Sequence, residues 1–279
     1  MLLLALATLA ATPASLPGVI ASARPGDVVR LVAGRYPVVT IRNKAFDPPL
    51  TIDASDATAA GLQVINASGV RWTGGTLQAD GGGTTNGYGV FAAASQNISI
   101  KGVHFNDFRV GIVYDTVSGG EISNNWFTRL TIDGIDLAAS RDIVVARNAC
   151  SESRPSDNAH PDCIQAWSRP GTPPVSNLTI TGNSIIGSTQ GISLFNHVRD
   201  GVDDGGFDRI SITGNTVLNT YAIGIAAYDC RSCTVRNNTV ASLPDHLNRA
   251  QLIVVGGSVI QCGNDVPLVP RQATPPCTN

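Results

Sequence analysis

Short stretches in which apolar and polar residues alternate recur along this chain of 279 residues. The best copies are EISNNWF, IVVARNAC, LTITGNSI, ISITGNTV and CTVRNNTV. Each runs through alternating apolar residues to an asparagine, then one residue, then usually an apolar residue. These asparagines are Asn125, Asn148, Asn183, Asn215 and Asn238, at spacings of 23, 35, 32 and 23 residues. A two-residue alternation of this length predicts β-strands, and no stretch has a sustained helical period.

A second motif lies between copies of the first. A small residue, mostly glycine, leads into a short alternating strand, as in VGIVYD, DGIDLA, DCIQAW, QGISLF and IGIAAY. Strands that recur about every 22 residues predict a solenoid, in which stacked coils join their inward Ile, Val and Leu side chains into one core. We expect the repeated asparagine at the bend between strands, where it tolerates the left-handed conformation and can bond the next coil.

These motifs resemble those of the right-handed parallel β-helix proteins of the pectin-lyase-like superfamily. The early stretch LPGVIASARPGDVVRLVAGRYP is similar to their usual cap, which has a short helix, a PGD turn and the first strand. The resemblance implies an all-β fold, a right-handed parallel β-helix solenoid of about eight or nine coils with a short N-terminal capping helix. It does not imply one function, because lyases, hydrolases, epimerases and non-catalytic proteins share this fold.

Three intervals of the repeat are longer than one coil. The excess is about six residues near ADGGGTTNGY, about thirteen within 151–176 and about ten within 196–208, relative to a unit of about 22 residues. All three inserts precede or follow the second motif, so we expect them to emerge along one strip of the solenoid. Long loops on one strip of a rigid scaffold form a groove. Drift in loops under no selection is the alternative interpretation.

Polar side chains of the second motif coincide with this strip. Asp133 and Asp162 precede the small residue of their motifs, and Asp136 and Gln165 follow it by two positions. Adjacent coils are about 4.8 Å apart, so we expect Asp133 beside Asp162, and Asp136 beside Gln165. Carboxylates this close shift one another's pKa values and can provide a protonated acid and an ionised base near neutral pH, which glycoside chemistry requires.

The runs IDGID, PDCIQ and TQGISL are similar in order and spacing to NTDGID, GDDCI and GHGISIG of the polygalacturonase family. This partial resemblance implies that Asp133 is the general base for water and that Asp162 is the general acid. Pro161 stands where that family has another catalytic aspartate, and Gln190 stands where it has a histidine. His160, one residue earlier, is the candidate to fill the gap.

The predicted site residues fall into two groups. The predicted catalytic residues are Asp133, Asp136, Asp162 and His160. The predicted substrate-binding residues are Gln165, Trp167, Gln190, Ser193, Phe195, Tyr228, Arg169 and Arg199. Aromatic platforms suit the stacking of sugar rings, and the arginines favour an acidic glycan. The leading hypothesis is an exported enzyme that cleaves a polysaccharide in the groove, by hydrolysis and without a cofactor.

Two other classes stay open. A polysaccharide lyase would take the C5 proton of a uronate with a base and neutralise its carboxylate, often with Ca²⁺, for which Asp133, Asp136 and Asp162 offer oxygen ligands. Its candidate bases are His160, His197, Arg154, Arg169, Arg199 and Arg249. The GID segment also resembles alginate epimerases, although Ala138 stands where their histidine belongs. A non-catalytic carbohydrate-binding β-helix would need the aromatic residues but not the stacked aspartates.

Charge and apolar runs along the sequence indicate the cellular location of the protein and the kinds of partner it can have. A net charge of −2 without a basic run argues against nucleic acid, and no apolar run is long enough for a membrane span. The start, MLLLALATLAATPAS, is typical of a secretory signal, so we predict a signal peptide at 1–14 and one β-helix domain at 15–279. The protein is therefore expected to be secreted or periplasmic, as a monomer.

Six cysteines, an even number, fit an oxidising compartment. Cys150 with Cys163, and Cys262 with Cys277, are candidate bridges that would hold a loop and the tail. The CRSC pair, Cys230 and Cys233, is expected to be structural. From the sequence alone, all fifteen pairings of six cysteines remain open.

Overall fold

The computed structural model describes residues 7–79, 85–156, 159–244 and 246–278. Residues 1–6 of the predicted signal peptide, and residues 80–84 and 157–158 of two predicted inserts, lie outside the described residues. Within those ranges the chain is mostly β-strand. Its one α-helix is α1 (Leu16–Ser22), and there are two short 3₁₀ turns, at Thr85–Gly87 and Pro270–Gln272.

The strands, numbered in chain order, stack into three faces of a parallel β-helix, and β10 and β12 bend to serve two faces each. Face 1 contains β4 (Val39–Arg42), β7 (Leu62–Ile65), the start of β10 (Tyr88–Lys101), the start of β12 (Val110–Ser123), β14 (Ile135–Ala138), β17 (Asp162–Trp167), β20 (Gln190–Leu194), β26 (Ile223–Tyr228) and β30 (Gln251–Val255).

Face 2 follows face 1 in each coil and includes the ends of β10 and β12. Its other strands are β1 (Thr8–Ala11), β2 (Val28–Leu31), β5 (Ala45–Asp53), β8 (Ser68–Thr73), β15 (Arg141–Ala146), β18 (Val175–Thr181), β23 (Phe207–Asp208), β24 (Ser211–Thr213), β27 (Cys230–Arg231), β28 (Cys233–Arg236) and β31 (Val259–Cys262).

Face 3 is a sheet of nine short strands in the described part of the chain. They are β3 (Gly34–Tyr36), β6 (Ala57–Ala59), β9 (Thr76–Gln78), β11 (His104–Asn106), β13 (Trp126–Thr128), β16 (Ala149–Ser151), β19 (Ser184–Gly187), β25 (Thr216–Asn219) and β29 (Thr239–Ser242). A separate antiparallel hairpin pairs β21 (Val198–Arg199) with β22 (Val202–Asp203).

The two-residue alternation decides which side chains fill the interior. Ile112, Ile135, Ile164, Ile192 and Ile225 pair in register on successive coils of face 1, and each is completely buried. They belong to one continuous apolar cluster that runs through the coils. Because successive strand residues point to opposite sides, the residues between them face outward, as the second motif predicts.

The repeated asparagines form a buried hydrogen-bonded ladder, which confirms the predicted bonding between coils. Asn148 accepts the N–H of Asn125 at 3.1 Å, and its own Nδ2 donates to Asn183 Oδ1 at 3.0 Å. The predicted conformation is wrong, however. The left-handed residue is the one before each ladder asparagine, as at Arg147 (φ 54°), because the turn must bend there to aim the next side chain inward. The ladder also continues to Asn264, which the repeat analysis leaves out.

The small residue of the second motif is required by close packing across the interior. A Cβ built on Gly111 would lie 2.5 Å from Cδ1 of Phe127, and one on Gly191 would lie 1.9 Å from the carbonyl oxygen of Gly224. At the equivalent position of β17, Cys163 has a side chain, and it is bonded to Cys150 of face 3. The glycines therefore let face 1 approach its neighbours.

Three disulfides are present, Cys150–Cys163, Cys230–Cys233 and Cys262–Cys277, and no described cysteine is free. Both candidate bridges are therefore confirmed, and the CRSC pair forms a disulfide of its own, whose structural role stays a prediction. The first bridge closes the insert that precedes β17.

Part of the predicted signal peptide is a strand of the solenoid. β1 pairs with β2, Ala11 is completely buried, and the hydroxyl of Tyr36 donates to the carbonyl of Ala11 at 2.6 Å. Helix α1 therefore follows a strand instead of opening the fold, although its Leu16 and Ile20 are buried as an end cap requires. Cleavage at 14 and the boundaries of the single domain stay predictions.

The inserts flank face 1. Those between β9 and β10 and between β16 and β17 precede this face, whereas those between β17 and β18 and between β20 and β23 follow it. The inserts therefore join the strands at both edges of face 1, where the sequence predicts a groove.

Candidate functional site

Three aspartates from two successive coils meet on the outer side of face 1. Asp136 lies in β14 and pairs in register with Gln165 of β17. The backbone N–H of Asp162, the first residue of β17, donates to Oδ1 of Asp133 at 2.7 Å. Both predicted neighbour pairs are therefore confirmed. The aspartates are largely removed from solvent, with Asp133 7%, Asp136 6% and Asp162 0% exposed.

Asp162 is held by side chains that the sequence assigns to the site. The Ser193 hydroxyl donates to its Oδ1, and Gln165 Nε2 donates to its Oδ2 at 3.3 Å. His160 Nδ1 lies 3.8 Å from the same Oδ2, while the imidazole side chain is 76% exposed. Asp162 thus has donors on both carboxyl oxygens and no exposed surface. His160 connects this buried carboxylate to solvent.

Burial dominates the electrostatics of the cluster. It raises the pKa of Asp133 to about 6, with the hydrogen bond from Asp162 opposing the rise. It raises the pKa of Asp162 to about 7, against the hydrogen bond from Ser193. The pKa of Asp136 is raised well above its ordinary value, first by burial and then by the negative charges of Asp133 and Asp162. In the described part of the chain, none of the three forms a salt bridge with an arginine.

Two buried oxygens in this region have no hydrogen-bond partner among the described residues, Oδ1 of Asp136 and Oε1 of Gln190. Gln190 pairs in register with Asp162, at the position where polygalacturonases have histidine. An unsatisfied buried acceptor costs about 1–3 kcal/mol, so a proton on Asp136 or a hydroxyl donor from a ligand would stabilise the site.

Arg109 is a site residue that sequence analysis misses. It is exposed and lies two residues before Gly111, one coil ahead of Asp133. Its positive charge lowers the pKa of both Asp133 and Asp136, which places it near the two carboxylates. The signal was present in the register, since Arg109 directly precedes the VGIVYD copy of the second motif and its carbonyl accepts the N–H of Ile132, which directly precedes Asp133 on the next coil, at 2.9 Å.

A cavity of about 290 Å³ adjoins the aspartates through Gln165. Its lining includes Gln165, Trp167, Arg169, Phe195, His197 and Arg199. Phe195 also contacts Tyr228, with ring centroids 5.1 Å apart. Arg169 is paired with Asp115 at 3.0 Å, and His197 with Asp204 at 3.2 Å. The structure therefore brings most predicted substrate-binding residues to one side of the aspartates.

The geometry does not fit the calcium site of the lyase hypothesis. Among the described residues, no group of three or more acidic, histidine or cysteine side chains is arranged to hold a metal ion. In the acidic loop 200–208 (DGVDDGGFD), Asp203 accepts from Asn196 and from the N–H of Gly205, and Asp208 pairs with Arg231. These carboxylates already have protein partners.

Comparison with known proteins agrees with this architecture. The family model described as right handed beta helix region matches residues 50–200 and 89–264, and the chain belongs to this family. A search of curated proteins finds no match. The superfamily resemblance inferred from the repeats is thereby confirmed, including the hand of the helix.

Solved structures with the same fold include proteins that act on polysaccharides. The endo-xylogalacturonan hydrolase of Aspergillus tubingensis superposes with a TM-score of 0.55 at 11% identity, over 95% of this chain and 94% of the hydrolase. The alginate lyase of Paenibacillus sp. str. FPU-7 gives 0.51 at 15% identity, over 93% and 99%. The Dettilon tailspike protein gives 0.58 at 13% identity, over 90% of this chain but 59% of the tailspike's length. At such identities the likeness shows the fold.

A membrane span is not found in the described ranges, where every helix is too short or too polar to traverse a bilayer.

Proposed function

We propose that this protein is an exported enzyme that cleaves an acidic polysaccharide in the groove on face 1, by hydrolysis of a glycosidic bond. The observation that carries the proposal is the cluster of Asp133, Asp136 and Asp162, which are buried together with no arginine or lysine among the described residues at salt-bridge distance. Stacking carboxylates in this way costs stability, and the coils are already held together by the apolar cluster and the asparagine ladder, so the fold has no structural need for it.

The pKa values assign different catalytic roles to Asp133 and Asp136. Asp133, with a pKa of about 6, is ionised at neutral pH and serves as the base that activates water. Asp136, whose pKa is raised well above its ordinary value and whose Oδ1 has no partner, stays protonated and serves as the general acid. This differs from the polygalacturonase resemblance, which implies Asp162 as the acid.

Asp162 is better suited to positioning the base, Asp133, than to acting as the general acid. Its carboxyl oxygens accept from Ser193 and Gln165, and its N–H holds Asp133, so it orients the base without reaching the substrate. Its negative charge also raises the pKa of Asp136, which keeps the acid protonated.

An acidic glycan is supported by the cations on either side of the cluster. Arg109 lies on the coil before Asp133, and Arg169 and Arg199 line the cavity beyond Gln165. Trp167 and Phe195 in the same cavity offer ring faces for sugar stacking. A chain lying along face 1 would therefore pass arginine, carboxylates, aromatic rings and arginine in turn.

A lyase is the second candidate, favoured by His160. This exposed imidazole beside Asp162 could take a C5 proton from a uronate, which β-elimination requires. No step through calcium is derived, because the three aspartates do not form a metal-binding group.

The test is a panel of polygalacturonate, alginate, xylan and hydroxyethylcellulose, scored for new reducing ends and for absorbance of unsaturated products. We expect reducing ends without unsaturated products on an acidic polymer. Asp136→Asn should abolish turnover while binding survives, and Asp56→Asn, which removes an exposed charge on a distant turn, is the matched control. Unsaturated products lost with His160→Ala would establish the lyase instead. Undiminished turnover by Asp136→Asn would contradict the proposed hydrolysis.

Export and a monomeric state are part of the proposal. The three disulfides support an oxidising compartment. Fractionation of expressing cells and light scattering of the purified protein test the two statements.

A further inference from the structure

An aromatic platform stands on face 3, away from the carboxylate groove. Trp126 of β13 is 43% exposed, and its ring stacks on His104 of β11, with centroids 4.6 Å apart and planes 13° from parallel. The two residues pair in register on adjacent coils. His104 thus covers one side of the indole and holds the ring at a defined orientation.

The other side of the indole faces a gap in the same column of side chains. The next residue in register is Ala149 of β16, followed by Ser184 of β19. Both point outward, because Cys150 and Ile185 beside them are buried. A methyl group cannot reach across the spacing of about 4.8 Å per coil to fill the position of a ring. Between Trp126 and Ser184, which are two coils or roughly 10 Å apart, only the methyl group of Ala149 stands in this column, and we call this stretch the slot.

The frame of this slot is polar. Arg147, two residues before Ala149, is 61% exposed at the corner of the same coil, but its guanidinium is engaged, because Nε donates to Asn124 Oδ1 at 3.0 Å and a terminal nitrogen lies 3.9 Å from Glu121 Oε1 of face 2. Ser151 follows Ala149 on the opposite side. The outward Ser151 and Ser184 thus place hydroxyl groups beside the aromatic ring.

We propose that this slot, lined by Trp126, Ala149 and Ser184, is a second carbohydrate-binding site that takes one sugar ring of a polysaccharide. The apolar C–H face of a pyranose stacks on the indole, and its hydroxyl groups meet the polar frame. The column beyond continues as Thr216 and Thr239, so the surface has no contiguous apolar patch of the size that a protein interface requires. The site would hold the enzyme on its polymer while face 1 carries out cleavage.

Tryptophan fluorescence can isolate this site. The chain has three tryptophans, and Trp72 is 1% exposed. In a Trp167→Phe background, a change in emission on adding polymer reports on Trp126. The probes are polygalacturonate, alginate, xylan and hydroxyethylcellulose, with Asp136→Asn included to prevent cleavage.

We expect a saturable change with at least one of these polymers. Ala149→Leu places a side chain against the open face of the indole and should weaken binding at least about fivefold, as for the loss of one aromatic contact. Thr216→Leu, which introduces the same side chain at an exposed position two coils beyond Ala149 in the same column, should leave the titration unchanged. Both are outward substitutions, and a thermal scan checks that each variant folds.

The absence of any change with all four polymers, or a change that survives Ala149→Leu, would refute the site. The result is independent of the proposed cleavage, because binding is measured in a chain that lacks the catalytic acid, and turnover is measured separately.

Discussion

Replacing the buried base by its neutral isostere should stabilise the protein, and only above mildly acidic pH. In Asp133→Asn the side-chain oxygen can still accept the N–H of Asp162, so the contact at 2.7 Å survives while the charge is lost. Most substitutions of buried residues destabilise, which makes the expected sign informative.

The magnitude follows from linkage. Burial raises the pKa of Asp133 from 3.8 to about 6, so the native state holds a proton that the unfolded chain releases between these values. The contribution of the protonated Asp133 carboxyl to the free energy of unfolding is fully present below pH 3.8 and is lost as the pH rises through 6. At about 1.4 kcal/mol per pH unit, the charged side chain costs roughly 3 kcal/mol at pH 8. Asp133→Asn should recover a gain of that order at pH 8 and almost nothing near pH 4.

The assay is urea unfolding of the wild type and Asp133→Asn at pH 4, 6 and 8, followed by circular dichroism. Asp56→Asn removes the same formal charge from an exposed turn and should give differences that do not grow with pH. Equal effects of Asp133→Asn at pH 4 and pH 8, or a loss of stability at pH 8, would show that the carboxylate is not held at a cost and would refute the electrostatic basis of the site.

Three other expectations rest on different contacts. Arg109→Gln removes a charge that lowers the pKa of Asp133, so the rising limb of the pH–activity profile should move to higher pH; an unmoved limb would exclude Arg109 from the site. Asn148→Ala breaks the buried ladder and should lower the free energy of unfolding in urea by about 2–4 kcal/mol. Asn248→Ala, at an exposed position, should have a negligible effect, and equally small effects of the two substitutions would contradict the role of the ladder. Gly191→Ala places a Cβ 1.9 Å from a backbone oxygen and should lower the melting temperature severely or prevent folding, whereas wild-type stability would contradict the close packing.

Much of the fold could be predicted from the repeat, because a solenoid stacks equivalent motif positions of successive coils and no other contact between distant segments has to be assumed. The inward column through Ile135 and Ile164 follows from a two-residue alternation and a constant coil, and so does the contact between Asp136 and Gln165. Asn264 was missed because the alternation before it is broken: Gln261 pairs in register with the buried Val235, although Val266 keeps the apolar position after the asparagine.

Contacts that depend on the direction of a side chain were not readable in this way. The sequence placed Asp162 in the groove, but only the structure shows it covered by Ser193 and Gln165. Trp126 follows the ladder asparagine Asn125, at a position where the first motif leaves the residue type open, so its stack with His104 is not predicted by the repeat. Such contacts depend on side-chain direction and packing, which spacing does not encode.

By itself, the sequence determined the parallel solenoid, its buried column and the strip on which the aspartates collect, because these follow from periodicity and from the short distance between coils. Only the tertiary structure decided which carboxylates lose contact with water and which donors reach them. Burial sets their pKa values, and burial is a property of the side chains and loops that close over a site, many residues away along the chain.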